Sequence, residues 1–98
     1  MKTNYHPVYP DYYEIFSAEQ EKEFSKVFYF VDDTTVEEAM GKINGLINAG
    51  LMGEFLVFDT GDEVRIDRII TVNGIPGPAY DEYDAYALAC LNCNVPAD

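Results

Sequence analysis

The sequence predicts an α+β domain: a small antiparallel or mixed sheet of at least three strands, with a central amphipathic helix over residues 34–49 and a C-terminal helix over 81–92 packed on it. Three observations lead there. Val36, Ala39, Met40, Ile43, Leu46 and Ile47 recur at steps of three and four, the spacing of one helical stripe. β-branched and aromatic runs flank that stretch, one before it and two after it. A proline–glycine loop then separates them from a last segment with acids in its first turn, where the helix dipole favours them.

Residues 1–16 carry Pro7 and Pro10 among four tyrosines, so an extended, tyrosine-rich arm is expected. Ser17 followed by Gln20 fits a capping box that opens a short polar helix over 18–25. Residues 26–31 (Lys-Val-Phe-Tyr-Phe-Val) read as a buried strand. The central helix has its own start signal, Asp33 and Thr34 with Glu37 three residues on, and Gly50 as its stop. Gly41 and Gly45 lie inside it, each costing about 1 kcal/mol relative to alanine. Their four-residue spacing marks a side where another backbone approaches closely, or plain tolerance.

Residues 54–59 form a second strand, Thr60-Gly61 a turn, and 63–72 a long third strand ended by Asn73-Gly74. Within it Val64, Ile66, Ile70 and Val72 share one face, and Arg68 falls in phase with them. Either Arg68 reaches an edge or a bulge near 67–69 resets the register, and the bulge is preferred. Ile75-Pro76-Gly77-Pro78 reads as a stiff loop without regular structure. In the last helix Tyr83, Ala87, Cys90 and Leu91 make the buried stripe.

At 98 residues and 48% hydrophobic content the chain suits a single domain with its own core. It starts with methionine and shows neither an apolar run of about 20 residues nor a basic-then-apolar leader, so a cytoplasmic location with reduced cysteines is expected. The charge is the outlier: 18 Asp and Glu against 6 Lys and Arg give −12. Self-repulsion of that size costs stability, and it opposes direct contact with nucleic acid or an anionic membrane. It favours solubility or a basic partner. Eight Tyr and six Phe distinguish the chain from a disordered acidic tail, so the carboxylates are expected on a rigid frame.

No catalytic, cofactor-binding or metal-binding residue is assigned. Cys90-Leu91-Asn92-Cys93 is a single pair that closes a helix, where the dipole raises rather than lowers a thiol pKa, and zinc wants four ligands. With His6 as the one histidine, no Ser or Cys has a base beside it in sequence. Asp59, Asp62 and Glu63 around a turn are the one candidate for a cation, and hairpin-tip carboxylates are ordinarily solvated. Phe58-Asp59-Thr60-Gly61 resembles the Asp-Thr-Gly signature of retroviral-type aspartic proteases, which would imply a protease that is a dimer of chains about this long. The resemblance stops at those residues, since that family places a flap and a second hydrophobic-Gly segment after the triplet. A turn between strands accounts for it.

The expected function is therefore a non-catalytic acidic binding module. In its sharp form it is an inhibitor that occupies the nucleic-acid groove of a basic protein, its carboxylates standing for phosphates. Inhibitors that phages and mobile elements direct at host restriction or CRISPR systems have this character, an analogy of class and not of sequence. The residues selected for that contact are Glu19, Glu21 and Glu23; Asp32, Asp33, Glu37 and Glu38; Asp81, Glu82 and Asp84; with Tyr12, Tyr13, Tyr80 and Tyr83 as aromatic neighbours. Two other readings stand beside it: an accessory subunit or homodimer with an apolar, salt-insensitive interface, and a small carboxylate enzyme or cation-binding domain.

Overall fold

A computed structural model describes residues 5–32 and 35–85. Helix α1 (Pro10–Gln20) leads into β1 (Ser25–Phe30), β2 (Val36–Gly41), β3 (Ile43–Asn48), β4 (Glu54–Phe58), β5 (Glu63–Arg65), β6 (Ile69–Val72) and β7 (Ile75–Pro76). A last helix, α2, occupies residues 80–85 and reaches the edge of the described residues. The strands form two antiparallel sheets, a four-stranded one in the order β2-β1-β6-β7 and a three-stranded one in the order β3-β4-β5.

The chain passes between the sheets at two corners. Lys42 alone separates β2 from β3, and a 3₁₀ turn at Ile66–Arg68 separates β5 from β6. Corners of this kind let the sheets close on each other with interdigitating side chains. Val27, Ala39, Ile69 and Val72 from one sheet meet Ile43, Leu56, Phe58 and Val64 from the other, and Phe16 of α1 joins the same core. Tyr5, Val8, Tyr12 and Tyr13 pack against its rim. Between Phe28 and Tyr29 the β1–β6 register shifts, and Ile70 leaves the main core for a second cluster with Phe30 and Ala79, over which Val36 and Tyr83 pack. The larger sheet is thus covered on one face by the smaller sheet, and its other face is covered by the segment leading into α2 around Phe30 and Ile70, while Lys26, Phe28 and Met40 stay exposed.

The α+β class and the packing of the C-terminal helix on a sheet hold. The helix expected over 34–49 does not form: that stretch is the pair of strands β2 and β3. Gly41 and Gly45 are the physical reason. Their φ values of +145° and +156° belong to extended backbone that side-chain-bearing residues avoid, and a Cβ on Gly41 would lie 2.7 Å from Asp59 Oδ1. Gly41 makes the corner, and the β3–β4 register shifts between Ile43 and Gly45. The apolar stripe is divided accordingly: Ala39 and Ile43 are buried, whereas Met40 and Ile47 are exposed. Instead of a helix cap, Asp32 accepts hydrogen bonds from the Thr35 backbone N–H (2.8 Å) and its hydroxyl (3.3 Å) in the β1–β2 turn.

Four other expectations change. The extended arm is limited, among the described residues, to 5–9, because Pro10 stands at the first position of α1, where its missing N–H costs nothing. Of the helix expected over 18–25 only residues 18–20 are helical, as the end of α1, and Ser25 already belongs to β1. The long strand over 63–72 is interrupted by a full 3₁₀ turn, larger than the expected bulge. Residues 75–76 pair with β6 as an edge strand, a place that tolerates proline, across the Asn73-Gly74 turn with φ of +50° and +83°. The C-terminal helix is seen over 80–85; Ala87, Cys90, Leu91 and Cys93 lie outside the described residues.

Candidate functional site

The distribution of charge begins with the cations. The described residues include Lys22, Lys26, Lys42, Arg65 and Arg68, and each is engaged within the chain. Arg65 donates to Asp67 through Nε (2.6 Å) and Nη2 (3.0 Å), and both side chains are buried. Arg68 donates to Glu82 through Nη1 (2.9 Å) and Nη2 (2.6 Å) and lies over the Phe30 ring at 4.9 Å. Lys22 Nζ pairs with Glu19 at 2.7 Å, and Lys26 Nζ stands 3.6 Å from Glu38. Lys42 Nζ donates to the carbonyls of Gln20 (3.0 Å) and Lys22 (3.1 Å), clamping the end of α1 to the β2–β3 corner. The carboxylates beyond these pairs supply the outward charge.

Among the residues selected from the sequence, the structure divides structural from outward-facing groups. Glu19 is buried: its Oε1 accepts from Lys22 Nζ and from Asn73 Nδ2 (2.8 Å), and these bonds hold its pKa below the usual glutamate range. The Lys26 backbone N–H donates to Asn73 Oδ1 at 2.9 Å, so Asn73 staples α1 to β1. Glu82 is likewise held low, chiefly by the Arg68 guanidinium. Tyr13 donates its hydroxyl to Glu54, which pushes its pKa well up, and burial adds to the shift. Glu21, Glu23, Asp32, Glu37, Glu38, Asp81 and Asp84 are exposed. Asp33 lies outside the described residues.

The fold gathers some of these groups. Glu37 and Glu38 stand on β2, an edge of the larger sheet, opposite Tyr29 and Phe28. On the outer face of that sheet a groove of about 270 Å³ is lined by Phe28, Val36, Ile70, Thr71, Tyr80 and Tyr83. A second cleft, of about 190 Å³ and more polar, brings Tyr12 and Asp81 together with His6, Tyr9, Asp67 and Pro78. His6, Tyr9 and Asp67 were not selected from the sequence. The buried Asp67 left a trace in its flanking arginines, which interrupt an apolar strand, but nothing local announces that residues 6 and 67 meet. Among the described residues no group of three His, Cys, Asp or Glu side chains is arranged to hold a metal ion. Nor is any described helix long and apolar enough to cross a membrane.

Fold and surface together define a small acidic α+β domain whose described Lys and Arg side chains are each engaged by another group of the chain. No family model matches the chain, and neither does any curated protein or solved structure.

Proposed function

We propose that the protein is a non-catalytic binding module that docks on a basic, nucleic-acid-binding protein and fills the groove a phosphate backbone would occupy. The observation that carries this reading is the internal use of the cations. With all five described Lys and Arg residues engaged by acids or backbone carbonyls, and the side chains of Lys22 and Lys26 about half exposed, the exposed carboxylates of Glu21, Glu23, Glu37, Asp81 and Asp84 give the surface of a chain of net charge −12 a negative field. Such a field steers a positively charged partner and repels nucleic acid itself. An inhibitor of a restriction or CRISPR nuclease is one member of the class.

The test is capture from a nuclease-treated lysate of the protein's own source, washed through a salt series. A basic nucleic-acid-binding protein that elutes at moderate salt, and that Glu21→Lys/Glu23→Lys/Glu37→Lys no longer captures, is the expected result. Capture indifferent to charge reversal would overturn the proposal. A second reading, an apolar interface to an accessory partner or a second copy, is favoured by the tip of the β3–β4 hairpin. There Leu51 is fully exposed, Met52 largely so and Ile47 partly so, and a complex made through them would persist in high salt.

A further inference from the structure

We infer that the cleft between the N-terminal segment and α2 is a receptor for one guanidinium side chain, an arginine presented by the basic partner. The inference rests on the binding role proposed above and names one point of contact within it. Its walls are His6, Tyr9 and Tyr12 from the N-terminal segment and α1, Asp67 from the 3₁₀ corner, and Pro78 and Asp81 before and within the start of α2.

The electrostatics of the cleft are decided by pairing. Asp67 is balanced by Arg65 and also accepts the His6 backbone N–H at 2.9 Å, which fixes the segment in place. Glu82, the other carboxylate close to His6, is balanced by Arg68. Asp81 is exposed and makes no ion pair among the described residues, so it remains to answer an added cation. Asp11 and Asp81, in or beside the first turns of the two helices, more than offset the partial positive charge of those helix ends.

The aromatic rings select the shape of that cation. Tyr9 is 77% exposed and Tyr12 half-buried, one helical turn apart, with the Tyr12 N–H donating to the Tyr9 carbonyl at 3.1 Å. A planar guanidinium stacks on such rings while its edge meets a carboxylate, whereas an ammonium is a compact, strongly hydrated charge. Prolines at 7 and 78 hold the walls, so little ordering is required on binding.

The probe is the peptide acetyl-Gly-Arg-Gly-amide, with its citrulline counterpart as the neutral isostere, titrated into the full chain and followed by amide and ring NMR shifts. Saturable shifts at His6, Tyr9, Tyr12 and Asp81 with the arginine peptide alone are expected. Asp81→Asn should weaken that binding about fivefold, the scale of one exposed charged contact. Tyr9→Ala should weaken it by a similar factor, and both positions are exposed enough to leave the fold intact. Equal shifts with citrulline, shifts spread over the acidic surface, or shifts from an oligouridylate and not from the peptide would each overturn the inference. Failure here alongside salt-sensitive partner capture removes only the cleft assignment. A bound peptide with no basic partner captured leaves the cleft and removes the mimicry.

Discussion

The two corners that carry the chain from one sheet to the other are built on opposite principles. At Gly41–Lys42 the bend is made by taking side chain away: the glycine adopts φ of +145°, and the space a Cβ would need is filled by the Asp59 carboxylate, which accepts the Lys42 backbone N–H at 3.1 Å. At Ile66–Arg68 the bend is made by bringing charge in. Arg65, Asp67 and Arg68 are all buried there, and their pairings reach to the N-terminal segment through His6 and to α2 through Glu82. The first corner is local and serves the core. The second ties together both edges of the arginine-accepting cleft, so the fold's most costly polar groups sit where the proposed contact is assembled.

The largest effect should come from breaking the second corner. Asp67→Ala leaves the Arg65 guanidinium buried without its carboxylate and should cost roughly 3–5 kcal/mol in urea unfolding. Arg65→Met combined with Asp67→Leu should recover much of that loss while freeing the His6 segment, whose amide exchange would rise. The first corner should yield less: Gly41→Ala forces a side chain into a left-handed extended backbone against Asp59, a loss of about 1–3 kcal/mol. If Gly41→Ala proved the more damaging change, the ranking of the two corners would be reversed.

Acid should act on the charged ties. Glu19 and Glu82 both have folded-state pKa values below their unfolded ones, Glu19 through Lys22 and Asn73, Glu82 through Arg68. Their contribution is fully present above the ordinary glutamate range and is lost as pH falls through the lowered folded values. On the way down, relief of repulsion among the other carboxylates works in the opposite direction. Thermal melts should therefore hold or rise slightly in mild acid and fall steeply below the glutamate range. Glu82→Gln should be the smallest change, about 1 kcal/mol at neutral pH because its carboxylate is half exposed, and it should flatten the acid limb of the curve.

The strands at 26–31 and 54–59 were legible because buried β-branched and aromatic runs admit few alternatives. The stretch at 34–49 was not, because Val36, Ala39, Ile43 and Ile47 satisfy a helical repeat by coincidence. Their true environments depend on a corner that only the partner strands reveal. Gly41 and Gly45 held the contrary information, for two glycines in a short helix are a standing cost that an extended bend removes. Arg68 also signalled correctly: a cation in phase with four apolar residues marked the place where the strand changes sheets. Pro10 was misread as a helix breaker although it stands where a helix begins. For the candidate site, composition gave the sign of the surface but not which acids face out. Glu19 and Glu82 looked like their neighbours until their partners, 54 and 14 residues away, came into view.

The central claim is that the outward charge is what the protein binds with. The most direct measurement is the affinity for its captured partner, purified free of nucleic acid, across a range of salt concentrations. The account predicts an affinity that falls by about tenfold or more over a severalfold rise in salt, with the slope reduced in the Glu21→Lys/Glu23→Lys/Glu37→Lys variant. An affinity that stays flat across that range in both proteins would contradict it and move the interface to the exposed apolar residues of the β3–β4 hairpin.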